Sequence, residues 1–150
     1  MAAANIDRFN ALCGTIFAKL YEGFPVSMAF SPFDFYDQLT NGKIRNTDEQ
    51  TLDREDGEFF LATFIWLGRH GYIHHGIAHT STMQDCVLTA QALGMLNATP
   101  ESLKQKDSSL GEQLVKCSKE GMTDKVKELA SDFLSKAVVF GTKAATDWVG

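Results

Sequence analysis

All four histidines of the chain lie in one eleven-residue stretch, RHGYIHHGIAH, from Arg69 to His79. Imidazole nitrogens are common ligands of zinc and other transition metals. An imidazole with its ordinary pKa of about 6.5 also changes charge close to neutral pH. The stretch is therefore a candidate metal site or a candidate pH-sensitive segment, unless it is an ordinary strand rich in histidine. Its four imidazoles belong to His70, His74, His75 and His79.

The spacing of the histidines limits the metal hypothesis. Neighbouring side chains on a strand point to opposite faces, so His74 and His75 cannot both bind one ion unless the strand bulges. On an extended strand His75 and His79 lie about 13 Å apart, which is too far for one ion. Zinc needs three or four ligands, and the nearest further donors are Asp85 and Cys86 on the opposing strand. The metal candidates that remain are His70, His74, His75 and Asp85.

Other catalytic or cofactor chemistry has no motif in this sequence. GxSxG, HExxH, a phosphate-binding loop and a GxGxxG after a strand do not occur. Cys13, Cys86 and Cys117 lie far apart and form no CxxC pair, which argues against a cysteine zinc site and favours buried, reduced thiols. We therefore expect a non-enzymatic protein without a cofactor. A metal-binding protein at the histidine hairpin is a distant alternative.

The elements that must position these histidines are mainly helical. Apolar residues at helical spacing predict a first helix that ends near Glu22, followed by a short extended segment and a second helix that begins at Ser31. The polar residues 43–56 predict a loop, and the sequence EFFLATFIWLGR then predicts a third helix. The predicted buried face of this helix consists of Phe60, Leu61, Phe64, Ile65 and Leu67. Residues 72–78 and 85–88 predict the two strands of a β-hairpin.

Further helices are predicted after the hairpin. Thr89 suits the N-cap of a fourth helix, Ser109 that of a fifth and Thr123 that of a last helix. The polar sequence KQKDSS, residues 104–109, is a candidate linker. We therefore predict an α+β fold, mainly α with a small β-hairpin, in which residues 1–103 form a domain and residues 104–150 a helical arm.

The order helix, strand, helix, helix, hairpin, helix resembles that of a winged-helix domain. Residues 61–73, LATFIWLGRHGYI, are similar to the third helix of that fold and its exit into the first wing strand. Residues 88–93, LTAQAL, look like the start of the helix that follows the wing in PadR-like and related regulators. The resemblance covers about residues 6–98 and implies a winged-helix-like domain over residues 1–103. In those families the helices after the wing pair two subunits.

The charge of the chain favours a protein contact over DNA on the third helix. A DNA-reading helix concentrates basic groups, whereas residues 1–98 hold six Lys or Arg against eleven Asp or Glu. The solvent side of the helix is predicted to include Ala62 and Thr63, together with a set of residues that suits a protein partner. That partner-binding set is Phe59, Trp66, Arg69 and His70. A dimeric DNA-binding transcriptional regulator is the alternative.

The last helix carries an apolar stripe that suits self-association. Lysines and acids occupy its other side, without the basic excess of a membrane-surface helix. Pairing of two such helices in a homodimer would bury both stripes at once, and packing of the stripe onto its own domain is the alternative. The predicted dimerisation residues are Val126, Leu129, Phe133, Leu134, Ala137 and Phe140.

The composition suits a reducing cytoplasm. The N-terminus, MAAANIDRF, lacks the basic and apolar regions of a signal peptide, and no apolar run approaches the roughly 20 residues that span a bilayer. The net charge of −5 argues weakly against phosphate backbones as partners. The function predicted from the sequence is a non-enzymatic, winged-helix-like module for protein contact and self-association, which could serve regulation, with no membrane partner.

Overall fold

The computed structural model describes residues 4–40, 52–79, 81–98 and 108–135. Helices occupy most of these residues, a small antiparallel sheet lies among them, and further helices follow the sheet toward the C-terminus. The predicted fold class, mainly α with a small β-hairpin and C-terminal helices, is confirmed. None of the helices in these ranges is long and apolar enough to cross a bilayer.

The elements follow one another in the order that the sequence predicts. Their bounds are α1 Ala4–Gly23, β1 Met28–Phe30, a 3₁₀ turn Pro32–Phe35, α2 Tyr36–Thr40, α3 Arg54–Arg69, β2 Ile73–His74, β3 Ala78–His79, β4 Thr82–Leu88, α4 Ala90–Asn97 and α5 Leu110–Lys119. A sixth helix, α6, occupies residues 123–135. Residues 104–107 of the predicted linker lie outside the described residues.

Side-chain caps set the starts of the helices. The Thr89 hydroxyl accepts a hydrogen bond from the Ala92 N–H at 3.1 Å, and the Ser109 hydroxyl accepts one from the Glu112 N–H at 3.1 Å, so both predicted caps are confirmed. The prediction that the polar loop continues to residue 56 is wrong. Helix α3 begins at Arg54, because Asp53 and the residue three positions later form a capping box.

The sheet is built around β4. β1 pairs with one side of β4 and the arm formed by β2 and β3 pairs with the other, all antiparallel. The sheet therefore has three strands in space, with its outer arm in two short pieces. β4 begins at Thr82, three residues before the predicted start, so the turn of the hairpin is shorter than the sequence suggests.

A bulge in β4 lies opposite the gap between β2 and β3. Asp85 has a φ of +54°, in the left-handed region that residues other than glycine seldom adopt. The Gly76 N–H still donates to the Gln84 carbonyl oxygen at 2.8 Å, which holds the outer arm to β4. A β-carbon at residue 76 would lie only 3.1 Å from the Asp85 carboxylate. Glycine is therefore suited to this gap because Asp85 passes so close to the backbone.

One hydrophobic core joins the hairpin to the helices on both sides of the predicted linker. Phe133 of α6 lies 4.8 Å from Phe17 of α1 and 5.8 Å from Tyr72, which precedes β2, measured between ring centroids. Leu110 and Leu114 of α5 belong to the same buried cluster. Residues from 1–103 and from 104–150 are thus buried against one another.

The apolar stripe of α6 is covered by its own chain over the part that the structure describes. Val126, Leu129 and Phe133 are at most 4% exposed, and Leu134 is half-buried. Ala137 and Phe140 of the predicted dimerisation set lie outside the described residues. Val126, Leu129 and Phe133 therefore pack within their own chain, because α1 already occupies the surface that a second subunit would need.

The contact between α1 and α6 depends on a glycine. A β-carbon at Gly14 would lie 2.5 Å from Val126 Cγ1 and 3.0 Å from the Val126 carbonyl oxygen, so the helices could not approach as they do. An ion pair lies beside the contact, with Lys127 Nζ 2.6 Å from Asp7 Oδ2. A second pair joins α5 to α1, with Lys119 Nζ 2.6 Å from Glu22 Oε1.

Replacing Gly14 with alanine is expected to destabilise the protein by about 1–3 kcal/mol, because the added methyl group forces α1 and α6 apart. Urea denaturation, followed by circular dichroism, measures this change. Gly94→Ala in α4 is the matched control, since nothing lies within 4 Å of a β-carbon there. That variant should be neutral or more stable by up to about 1 kcal/mol. Equal urea midpoints for Gly14→Ala and Gly94→Ala would contradict the close approach of α1 and α6.

Candidate functional site

The histidines whose side chains the structure describes occupy different environments. His70 follows the end of α3, is exposed, and lies with its ring 4.3 Å from that of Trp66. His74 is exposed on β2, whereas the half-buried His75 donates from Nδ1 to the Gly76 carbonyl oxygen at 2.8 Å. The backbone of His79 belongs to β3. No single point therefore gathers the imidazoles of His70, His74 and His75.

The His75 ring is a packing group between α3 and the hairpin. A β-carbon at Gly68 would lie 2.5 Å from His75 Nε2, so the ring rests directly on the backbone of α3. Its Nδ1 hydrogen is taken by the Gly76 carbonyl group, which fixes the orientation of the ring. Nδ1 is therefore held by a hydrogen bond within the chain, and Nε2 lies against the Gly68 backbone.

Among the residues that the structure describes, no three His, Cys, Asp or Glu side chains lie close enough to hold one metal ion. The four metal candidates predicted from the sequence are accordingly not brought together. The Asp85 carboxylate lies over Gly76. His74, the last residue of β2, is exposed, whereas His75, in the gap between β2 and β3, is half-buried.

The outward face of α3 is the larger exposed feature of this region. Its buried side consists of Asp56, Phe60, Thr63, Phe64 and Leu67. The opposite side carries seven exposed residues, to which we refer as the outer face of α3. These are Arg54, Glu55, Glu58, Ala62, Ile65, Trp66 and Arg69.

Two expectations about this helix are wrong. Thr63 was expected at the solvent side, but it is 3% exposed and its hydroxyl donates to the Phe59 carbonyl oxygen at 2.8 Å. Ile65 was expected in the core, but it is 37% exposed. The apolar residues of α3 cover more than one side of the helix, so their pattern alone does not define which side α1 and the sheet cover.

Phe59 and Trp66 lie at the edge of the outer face, beside α1. The Arg8 guanidinium lies over the Phe59 ring at 4.0 Å, which leaves Phe59 half-buried. Trp66 is 38% exposed. Its ring centroid lies 5.3 Å from that of Phe9 in a T-shaped contact and 5.8 Å from that of Tyr72 in a stacked one. Of the two aromatic residues, Trp66 therefore offers more surface to a partner.

The positive charges near α3 are largely paired. Arg8 Nη2 lies 3.4 Å from Asp56 Oδ1, and Arg54 Nε lies 3.0 Å from Glu58 Oε1. Arg69 is exposed, and the described residues show no ion pair to it. The outer face of α3 thus carries two glutamates toward its N-terminal end, one of them paired with Arg54, and Arg69 toward its C-terminal end. Lys43 and Arg45 lie outside the described residues.

The acidic half of this face was not predicted from the sequence. Glu55 was assigned to the predicted loop, because the helix was expected to begin at residue 57. The signal that identifies the true start is an acidic residue at position 53 and another at position 56, which form the capping box. With the start corrected, the spacing of Glu55, Glu58 and Ala62 places all three on the same side of the helix.

The three cysteines are buried and weakly acidic. Burial raises the pKa of the Cys13 thiol well above its ordinary value and also raises that of Cys117. At Cys86, burial first and the nearby Asp85 carboxylate second raise the thiol pKa to about 12. These thiols stay protonated at neutral pH and are therefore poor nucleophiles and poor metal ligands.

A cavity of about 120 Å³ lies between α1, α2, α5 and the start of α6. Polar groups of Asp37, Gln38 and Ser118 line it, together with Thr15. The Thr15 hydroxyl donates within α1, to the Ala11 carbonyl oxygen at 2.9 Å. Sites for cofactors and drug-sized molecules enclose about 300–1,000 Å³, so this cavity suits a few water molecules better than an organic ligand.

The raised thiol pKa of Cys86 predicts a loss of stability at high pH. The unfolded thiol ionises near 9, whereas the folded thiol ionises near 12. Only the unfolded state gains free energy from deprotonation between these values, so the free energy of unfolding should fall as pH rises from 9 to 12. Urea midpoints at a series of pH values measure the fall. Cys86→Ala should show a shallower decline, and an identical decline would contradict the prediction.

Comparison with known proteins leaves the outer face of α3 to be interpreted from its own residues. No protein-family model, no curated protein and no solved structure matches this chain. No relative therefore supports the resemblance to winged-helix regulators, and no relative indicates a function. The geometry of α3, the hairpin and the core therefore carries the functional conclusion.

Proposed function

We propose that this protein is a non-enzymatic, winged-helix-like module that works through protein contact and self-association. The observation that carries the proposal is the outer face of α3, where exposed Ile65 and Trp66 lie between two glutamates and Arg69. Exposed aromatic and arginine side chains are enriched in protein interfaces. The contact set proposed from the sequence, Phe59, Trp66, Arg69 and His70, lies on or beside this face.

The topology supports the winged-helix-like part of the proposal. The order of α1, β1, α2, α3 and the hairpin matches the order that the sequence resemblance implies. β1 pairs with β4, and α3 leads directly into β2, which pairs with the other side of β4. A helix that presents its outer face beside a hairpin is compatible with this type of domain, but a fold by itself does not define a function.

The charge of the outer face supports a protein partner over DNA. Glu55 and Glu58 would repel phosphates wherever the N-terminal half of α3 approached a duplex. Arg8, the basic residue of α1 closest to α3, is engaged by Asp56 and Phe59. Arg54 is paired with Glu58, so Arg69 is the unpaired phosphate contact among the described residues of α3. A single unpaired arginine supplies little of the affinity that DNA-binding modules draw from phosphate neutralisation.

The side-chain chemistry of the described residues supports a non-catalytic role. The thiol of Cys86 is protonated at neutral pH, and both nitrogens of His75 pack against the chain. General acid–base and nucleophilic catalysis need groups held within hydrogen-bond reach of one another and of a substrate. The exposed histidines His70 and His74 are not arranged in this way with an acid.

Light scattering over a concentration series tests self-association, and fluorescence anisotropy with labelled random and genomic DNA tests the alternative. We expect a mass that rises above the 16.6 kDa of one chain as concentration increases. We also expect no anisotropy change at about 50 mM salt, where phosphate contacts are strongest.

Two results would overturn the proposal. A mass that stays at that of one chain over the whole series would remove self-association. DNA binding whose affinity falls steeply with salt would establish phosphate contacts, and the DNA-binding regulator would then replace the protein-contact module.

A further inference from the structure

The outer face of α3 has an internal symmetry of residue type and spacing. Glu55 and Arg69 each lie seven residues from Ala62, in opposite directions along the helix. Seven residues make nearly two turns of an α-helix, so all three side chains lie along one line of its surface. All three are exposed. The line therefore has a negative end, a small central residue and a positive end.

We propose that this face binds the same face of a second copy of the chain, with the two α3 helices antiparallel and a two-fold axis at Ala62. The inference rests on the proposed function and names the partner and the surface. In this two-fold contact each residue on the line meets the residue of the same line that lies equally far from the axis on the other copy. Glu55 of each copy then faces Arg69 of the other, so the contact contains two opposite-charge pairs.

Residues beside the axis complete the contact. Ile65 and Glu58 lie on one side of the line through Ala62, and Trp66 and Phe59 lie on the other. Rotation about the two-fold axis keeps each side together, so Trp66 of one copy faces Phe59 of the other, and Ile65 faces the aliphatic stem of Glu58. Ile65 is 37% exposed and Trp66 is 38% exposed in one chain. Pairing removes this apolar surface from water, which is the favourable term that the charge pairs alone would not supply.

The backbone geometry also suits the pairing. Packed helices lie about 8–10 Å apart at their axes, and the small side chain at the centre of the line permits the lower end of this range. In the antiparallel arrangement the positive N-terminal end of each helix dipole lies beside the negative C-terminal end of the other. A single helix face is small, below about 1,200 Å² in total, so we expect a weak dimer that forms at high concentration.

Cysteine cross-linking at the axis tests the geometry. In Ala62→Cys the two new thiols lie side by side across the two-fold axis, within the distance that a disulfide can bridge. The native thiols are buried and do not compete. Under mild oxidation this variant should form a covalent dimer on a non-reducing gel. Ser131→Cys, at an exposed position of α6, is the matched control and should remain a monomer.

Charge reversal tests the pairing of the two ends. Glu55→Arg alone places two arginines together at each end of the contact, and Arg69→Glu alone places two glutamates together. Each variant should weaken the dimer at least about tenfold. A one-to-one mixture of the two variants restores both opposite-charge pairs and should recover the wild-type mass. The matched controls are Lys116→Glu on α5 and Glu120→Arg directly after it, where both residues are exposed and no change is expected.

The results separate this inference from the proposed function. Suppose that the wild type dimerises, that Ala62→Cys does not cross-link, and that the mixture of reversed variants dimerises as weakly as either variant alone. Another surface then forms the dimer, and this inference is overturned, while the proposed self-association is retained. If the wild type shows no dimer at any concentration, both the inference and the self-association proposed above are overturned. Cross-linking together with recovery in the mixture supports the antiparallel pairing.

Discussion

The close packing of α6 against α1 is the contact on which the rest of the structure depends. At Gly14 the two helices approach so closely that a β-carbon would collide with Val126. From there the core continues through Phe133 to Phe17 and to Tyr72 at the base of the hairpin. Because these contacts tie the last described helix to the first helix and the sheet, the C-terminal helices are part of the same core. A segment that looks like an appended arm in the sequence is therefore needed to cover α1.

This packing decides which surfaces are left for function. With its stripe turned inward, α6 offers a partner little of the apolar surface that suggested a dimer. Helix α3 is held on its inner side by Phe60, Phe64 and Leu67, and its outer side faces away from the core. Arg8 reaches from α1 to the edge of that outer side, where it engages Asp56 and Phe59. The remaining surface is mixed in charge and partly apolar, which is typical of a protein contact rather than a nucleic-acid contact.

The histidine-rich hairpin has a structural explanation. His75 fills the space between the hairpin and the Gly68 backbone, and Gly76 accommodates Asp85 at the bulge. The bulge lies where the outer arm of the hairpin is interrupted, and such irregularities let a short strand change direction without losing all of its pairing. His74 and His70 remain at the surface. The imidazoles of His70, His74 and His75 are thus distributed between packing and solvent, so these three do not converge as the ligands of a metal site must.

The sequence by itself determined the order of the elements, the caps at Thr89 and Ser109 and the hairpin, because helix periodicity, strand alternation and capping depend on residues close together in the chain. It also predicted that neighbouring histidines on a strand would diverge, for the same local reason. Only the tertiary structure decided that the stripe of α6 packs on α1 and that Ile65 rather than Thr63 faces outward. These choices depend on which surfaces meet across the fold, and an apolar pattern on α3 or α6 is equally compatible with a partner from the same chain or another. The outer face of α3 could be defined only from the structure, which shows that the helix starts at Arg54 and which residues of α3 are buried on its inner side.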